Sequence, residues 1–375
     1  MPYVDVIVVG AGVHGASSAL ALASAGHRTL LLERRRVGHA RGSSHGESRI
    51  LRRSYNDAVY AELAALAADA WRDLEVFSGE RLFEPCPHLD LADAEHEMLD
   101  HVASAMVNSG AAFERLSNRA LRQRFPQFRL PENYEAVLDH GAGILHAERA
   151  LRTLVRLARE RGAALREDAR VARIEARVDG VRVWTDDGVI DASAVVVAAG
   201  AWTNALLDPI ALRLPLRVYH TQSAHFAPEP AHDHDHTLGR FPLFYDHHSS
   251  VYGFPAFAGR GLKIGDQVRV ACDPDLRPPT PIAPDLERLS RWVGAHLARV
   301  SARAHDVQSC LYTDTPDADF VVDRAPGCER VVVLSPCSGH GFKFAPIIGE
   351  LAAALVGGEA PNERFAWSRF AAVGA

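Results

Sequence analysis

The chain has 375 residues, 47% of them hydrophobic and 23% charged, which is enough apolar material for two buried cores and excludes a disordered or fibrous protein. Its 47 acidic side chains outnumber 41 basic ones, a formal charge of −6 that argues against a nucleic-acid groove or an anionic membrane surface as partner. Small molecules are the expected partners.

Residues 4–9, VDVIVV, read as a short strand, 10–15 as a glycine turn, 16–25 as a small-residue helix stopping at Gly26, and 29–33, TLLLE, as the next strand. The opening apolar stretch carries Asp5 and three spaced glycines and lacks a basic leader, so it reads as folded structure rather than a secretory signal. A strand-helix-strand unit implies a parallel sheet buried on both faces. A helix is predicted from Asn56 to Ser78, stopped by Gly79, with Val59, Leu63, Leu66, Ala70 and Leu74 as the face that packs on that sheet. Residues 83–141, with scattered prolines, a helix near 93–109 and another capped by Ser117, read as an excursion from the first domain.

Helical periodicity returns at 148–163 through Leu151, Leu154, Val155 and Ala158, where the first domain is expected to resume. Asp179-Gly180 and Asp187-Gly188 mark antiparallel hairpins, and the apolar run 194–199 reads as a buried parallel strand. Residues 215–316, rich in aromatics, histidine and proline, read as a second, sheet-based domain, with RPPTPIAP (277–284) leading into a helix over 285–299. A final strand, a glycine loop and a helix over 344–356 close the chain. The predicted fold is α/β: a Rossmann-type parallel domain (1–82, 142–214 and 317–375) interleaved with an α+β substrate domain on a mostly antiparallel sheet (83–141 and 215–316). No run approaches the ~20 apolar residues of a membrane span, and five cysteines without C-x-x-C spacing argue for a reducing compartment, the cytoplasm by default.

Gly10, Gly12 and Gly15 follow a strand and open a helix, and Glu33 ends the next strand 23 residues after Gly10. In that context the glycines permit a tight turn and close approach of a pyrophosphate, and the carboxylate accepts from a ribose hydroxyl, so a bound dinucleotide is expected. Arg34, Arg35 and Arg36 could accommodate a ribose phosphate but read as a solvated loop. The glycines of SGHGFKF (338–344) are followed by Phe344 where a third would fall, so this is no second dinucleotide fingerprint. HDHDH (232–236) and DHH (246–248) read as solvated acidic loops, and no metal is expected. Cys310 alone reads as a small buried hydrophobe.

The blocks VIVVGAGVHG (6–15), GSSHGESRILR (42–52), YGFPAF (252–257), GLKIG (261–265), CLYTDT (310–315) and SGHGFKFAPIIGE (338–350) together resemble the monomeric sarcosine oxidase and N-methyltryptophan oxidase family of flavin amine oxidases. The resemblance runs nearly the whole length and implies FAD as the dinucleotide, attached as an 8α-S-cysteinyl group at Cys310. It implies that Arg52 and Lys343 clamp a substrate carboxylate, a fork and a point charge respectively. Lys263 matches the lysine that promotes oxygen reduction by electrostatic stabilisation, while Arg49 and His45 match residues beside the flavin ring. Ser43, Val171, Gly200, Trp202, Gly339, His340 and Gly341 fall at cofactor-contacting positions, the last three offering N–H groups and a helix end to the flavin. Tyr245, Tyr252 and Gln267 fall at the substrate pocket.

Gln267 stands where sarcosine-oxidising members usually carry His, removing a titratable group, and Pro336-Cys337 replaces a more glycine-rich approach. The implied activity is oxidation of N-methyl amino acids by a monomer using O2. Open alternatives are a cyclic imino-acid or glycated amino-acid oxidase, a dehydrogenase with a protein or quinone acceptor, and an RNA-modification flavoprotein, the last disfavoured by the acidic charge.

Overall fold

A computed structural model describes residues 4–276 and 280–373; the first three residues of the RPPTPIAP stretch lie outside them. The predicted opening holds, with strand Val4–Val9, helix Val13–Ser24 and strand Thr29–Leu32; the helix starts earlier than its apolar period suggests because Gly12 and Gly15 belong to its first turn. Five strands run parallel in the order Ala164–Arg166, Thr29–Leu32, Val4–Val9, Gly188–Val197, Cys328–Ser335. Their apolar runs are explained by burial on both faces. Val6, Val8, Leu31, Val196 and Val332 meet the helices Val13–Ser24, Ala147–Glu160 and Ala345–Val356. Ile7, Val9, Leu30, Leu32, Val195 and Val197 meet the hairpin Val171–Ala176/Val181–Thr185 and the helix Thr203–Leu207. The hairpin turns at Asp179-Gly180 and Asp187-Gly188 lie where predicted.

A nine-stranded second sheet draws its strands from 88–139 and 217–314. All its pairings are antiparallel except Leu243–Asp246 beside His88–Asp93. Helix Ala283–His296 packs on one face around Phe226, Phe241, Phe244 and Trp292. A three-stranded sheet, Ser48–Leu51, Gly143–His146 and Phe83–Pro85, stands where the chain passes from one large sheet to the other.

One predicted face is corrected. Helix Ala58–Ser78 has the expected stop, Gly79 in the left-handed region (φ 69°), and an Asp57 cap accepting from the Tyr60 N–H. It buries Tyr60, Ala61, Ala64, Ala67, Ala68 and Trp71, whereas Leu66 is 56% exposed. It packs on helix Ala345–Val356 and the turn before it, not on the sheet. Alanines permit the close helix approach, and the two aromatics bury polar tips that find partners: Tyr60 Oη accepts from the Phe320 N–H at 3.3 Å and Trp71 Nε1–H donates to the Lys343 carbonyl at 2.7 Å.

Candidate active site

The first glycine loop is shaped by contacts that only hydrogen tolerates. Gly10 sits at φ 100°, where a Cβ would meet the Ala198 carbonyl at 2.5 Å, and a Cβ on Gly15 would fall 1.8 Å from the Gly10 carbonyl. A Cβ on Gly12 meets only Ser44 Oγ, at 3.2 Å, so this residue borders open space. The Glu33 carboxylate is 5% exposed and tightens the loop, accepting from the Ala11 N–H at 2.9 Å and the Arg35 N–H at 3.0 Å. Beside it runs a channel of 230 Å³ lined by Gly10, Gly12, Glu33, Ser43, Val171, Gly200 and Trp202. A glycine cradle at a helix N-terminus with a carboxylate at its far end fits the pyrophosphate and ribose of a dinucleotide. Of the three arginines read as solvated, Arg34 is the exception: its guanidinium lies 4.8 Å over the Trp202 ring, at the channel wall.

The channel opens past Ser43, Ser44 and His45 into a cavity of 590 Å³ between the two large sheets. Lys263 reaches it because Leu262 and Ile264, its strand neighbours, point into the aromatic core on the other face. Its ammonium lies 3.4 Å from Ser48 Oγ and 5.1 Å from the Phe254 ring centre. Burial, reinforced by the nearby Arg49 guanidinium, pulls its pKa down to about 7. Arg49 donates to the carbonyls of Ser43, His45 and Ser48 at 2.7–2.8 Å, holding the 43–48 loop in one shape. His45 places its ring nitrogens 2.9 Å from the Gly42 and Ser309 carbonyls, tying that loop to strand Val300–Asp314. On this strand Cys310 Sγ faces the cavity, 3.9 Å from the Ser43 carbonyl. The Tyr252 phenol, pushed up to about 12 by burial and the neighbouring Cys310, fits only because residue 265 is glycine; a Cβ there would stand 2.5 Å from Tyr252 Oη. Tyr245 and Gln267 also line the cavity, and Gln267 Oε1 is buried without a partner.

Arg52 and Lys343 lie 291 positions apart in sequence and meet at Tyr55. The Lys343 ammonium, 6% exposed, donates to Tyr55 Oη at 2.8 Å and to the His340 carbonyl at 2.9 Å. The Arg52 guanidinium lies 4.6 Å over the Tyr55 ring. Burial and the Arg52 charge hold the Lys343 pKa well below the usual lysine range. The loop feeding Lys343 is strained: Ser338 and Gly339 both have positive φ, and a Cβ on Gly341 would lie 1.6 Å from the Pro336 carbonyl. The His340 N–H closes the turn onto Cys337 at 3.1 Å, and its ring stacks on Phe320 at 4.8 Å with Nδ1 3.2 Å from Tyr55 Oη. Burial followed by the Lys343 charge depresses that imidazole to about 3.

Every sequence-predicted site residue except Gly15, which works from within the helix, lines the channel or the cavity. Sequence reading missed Tyr55, Trp71, Tyr312, Arg269 and a buried group formed by His88, Asp90 and His247. The strand HLDLAD carried a usable signal, two polar residues at same-face positions between leucines. The reading of DHH as a solvated loop is corrected: Asp246 is fully buried, accepting from Tyr134 Oη and Trp292 Nε1, and His247 turns to Asp90. HDHDH lies in the 3-10 turn Pro230–His236, where His232 and His234 both pair with Asp235. Among the described residues no group of three His, Cys, Asp or Glu side chains could hold a metal, and no helix is long and apolar enough to cross a membrane.

A glycine-cradled channel of dinucleotide shape opening into a cavity lined by basic side chains, between a parallel and an antiparallel sheet, fits a dinucleotide-dependent enzyme with a small-molecule substrate. The family model described as DAO, FAD dependent oxidoreductase, matches residues 5–355, and the chain belongs to that family. It is 33% identical over 356 residues to peroxisomal sarcosine oxidase of Homo sapiens, covering 92% of this chain and 90% of that one. It is 32% identical over 365 residues to N-methyl-L-tryptophan oxidase of Salmonella heidelberg, covering 96% of each. Among solved structures, NikD, an unusual amino acid oxidase essential for nikkomycin biosynthesis, superposes with a TM-score of 0.86 at 28% identity over 98% of both chains. L-proline dehydrogenase from P. horikoshii shares the fold, with a TM-score of 0.84 at 21% identity over 99% of this chain and 98% of that one.

Proposed function

We propose that the chain is an FAD-dependent oxidase of carboxylate-bearing secondary amines, N-methyl amino acids such as sarcosine foremost. The observation that carries this reading is the Arg52–Tyr55–Lys343 clamp, a guanidinium and a buried lysine amine fixed on one aromatic ring at the wall of a cavity continuous with the dinucleotide channel. A carboxylate is the anion such a pair selects. The names of the relatives, a sarcosine oxidase and an N-methyl-L-tryptophan oxidase, support the substrate class.

Gly10, Gly12, Gly15 and Glu33 hold the pyrophosphate and ribose end of FAD, with Ser43, Val171, Gly200 and Trp202 along its length and Gly339, His340 and Gly341 at its ring. When bound, the flavin supplies the hydride acceptor and returns the electrons to O2 as hydrogen peroxide; the imine product hydrolyses to an aldehyde and an amine. Arg52 and Lys343 fix the acid end of the substrate, so the C–H beside nitrogen is held in one orientation. Tyr245, Tyr252 and Gln267 shape the remainder of the pocket and exclude water. Lys263, with Arg49 and His45 beside it, presents the positive charge that oxygen reduction requires. Cys310 is the point of covalent attachment, and the 83–141 and 215–316 segments form a substrate domain distinct from the cofactor domain. The protein works as a monomer in the cytoplasm.

The test is a peroxide assay with sarcosine, other N-methyl amino acids and cyclic imino acids on flavin-loaded protein. Sarcosine or another N-methyl amino acid should yield peroxide and aldehyde in equal amounts. Anaerobic bleaching followed by failure to reoxidise in air overturns the oxidase assignment in favour of a dehydrogenase. Acid-precipitated wild-type protein should stay yellow and Cys310→Ala should release its colour to the supernatant; complete release from wild type overturns covalent attachment.

A further inference from the structure

The cavity wall beside Arg52 holds ionisable groups that the clamp and the oxygen site do not use. His88 and Asp90 alternate with Leu89 and Leu91 along strand His88–Asp93, so the leucines enter the aromatic core and the polar pair faces the other way, where His88 lines the cavity. The neighbouring strand Leu243–Asp246 runs parallel to it, and the His247 N–H donates to the Leu91 carbonyl at 2.8 Å. That bond delivers the His247 imidazole to Asp90: Nε2 lies 2.9 Å from Oδ1, with the carboxylate fully buried and the imidazole 10% exposed on the cavity. The same Oδ1 is 3.8 Å from Arg52 Nη1. His88 Nδ1 is 3.2 Å from Oδ2, though not aligned for a hydrogen bond, and 3.4 Å from Ser54 Oγ. Tyr245 packs edge-on against His247 at 4.7 Å, and the His96 ring lies 6.3 Å away. Burial opposes the Asp90 charge, but His88, Arg52 and His247 outweigh it and hold the carboxyl well below its usual range, so Asp90 is an anion.

We infer that His247, oriented by Asp90, accepts the proton of the substrate's secondary ammonium before the C–H bond is broken; the inference rests on the oxidase reading above. The argument has three steps. A protonated amine has no lone pair to stabilise the carbon as hydride leaves, and a cavity lined by the guanidinium groups of Arg49, Arg52 and Arg269 repels an ammonium, so the proton must go elsewhere. Asp90 takes the Nε2–H of a neutral imidazole, which leaves the lone pair on Nδ1 as acceptor. Finally, Arg52 and His247 share one carboxylate oxygen, so an acid held at Arg52 carries its α-nitrogen, two bonds away, to the vicinity of the imidazole. In the transfer the ammonium N–H bond breaks with its electron pair left on the amine, an N–H bond forms at Nδ1, and the imidazolium is balanced by Asp90. Nothing is oxidised in this step.

Anaerobic stopped-flow reduction of the holoenzyme by sarcosine, followed across pH, tests the assignment in wild type, His247→Asn and His247→Gln. Wild type should bleach with a rate that rises with pH to a plateau. Both variants should lose about a hundredfold in rate at neutral pH. Their curves should shift toward the amine's own ionisation and converge on wild type at high pH, and free imidazole should restore His247→Ala. Affinity for acetate, a carboxylate without an amine, should be unchanged, because the clamp is intact. Superimposable pH curves for wild type and variants, or a uniform loss at every pH without imidazole rescue, overturn the role of His247 and leave the oxidase reading standing. A wild-type holoenzyme that no N-methyl or cyclic amino acid bleaches overturns both.

Discussion

Lys263 shows how a single side chain acquires a role from where its strand places it. Alternation along Leu262–Asp266 sends the apolar neighbours to the core and the ammonium to the cavity, where burial brings its pKa down to about 7. Its charge is therefore present below that value and lost above it. The rate constant for reoxidation by O2 is expected to fall as pH rises through about 7, and Lys263→Met should lower it about 100-fold or more, measured by mixing reduced enzyme with air-saturated buffer. For the clamp, Arg52→Gln removes a charge-assisted contact worth about 1.5–3 kcal/mol, so KM should rise about 10- to 100-fold with a smaller change in kcat. A KM within error of wild type overturns the clamp. These residues were legible only through the blocks around them: a lone lysine or arginine has no periodicity that tells a cavity from solvent. Tyr55 carried a weaker signal still, because a tyrosine does not announce the amine it will hold.

At the level of elements, periodicity located the long helices, the opening strands and the 171–197 hairpins, left the strands of the second sheet without individual bounds, and misjudged which way one helix faces. Leu63, Leu66 and Leu74 form the more hydrophobic stripe of helix Ala58–Ser78, yet the buried stripe is Ala61, Ala64, Ala68 and Trp71. Close packing between helices favours small side chains, and a hydropathy pattern cannot register that preference. Leu63 and Leu74 reach that core only at its margin, and the offset has a functional edge, since it aims Trp71 Nε1–H at the carbonyl of Lys343. Trp71→Phe keeps the ring and strands that carbonyl, so it should lower stability by about 1–3 kcal/mol in denaturant titration. It should also raise KM more than it lowers kcat, because Lys343 loses its anchor. The glycine loop leaves less latitude. Gly341→Ala must displace the Pro336 backbone, and the purified variant should be depleted in flavin; a fully loaded variant would show the loop to be less constrained than its geometry indicates.

Across the whole molecule, the first glycine loop and the apolar runs beside it pointed to the α/β class, with its parallel and antiparallel sheets, whereas the meeting of His88, Asp90, Arg52 and His247 depended on a strand register that no local pattern encodes. The packed loops also set how the fold responds to acid. Burial depresses His14 and His340 each to about 3 from 6.5. Between those values the unfolded chain binds protons that the native state does not, so stability rises with pH through this window and is lost on acidification from about 6.5 toward 3. His340→Gln should flatten that loss in urea titrations between pH 6.5 and 4, and an unchanged slope would count against it. The parallel core has a consequence for how the chain is made. Strand Gly188–Val197 pairs through Val195–Val197 with Val331–Val333, so a growing chain carries an unfinished sheet edge until residue 333 has been synthesised. While the residues from 198 to 333 are being added that bare flank is open to mispairing with a neighbouring nascent chain, which makes a holdase and a slow ribosome natural aids to its production.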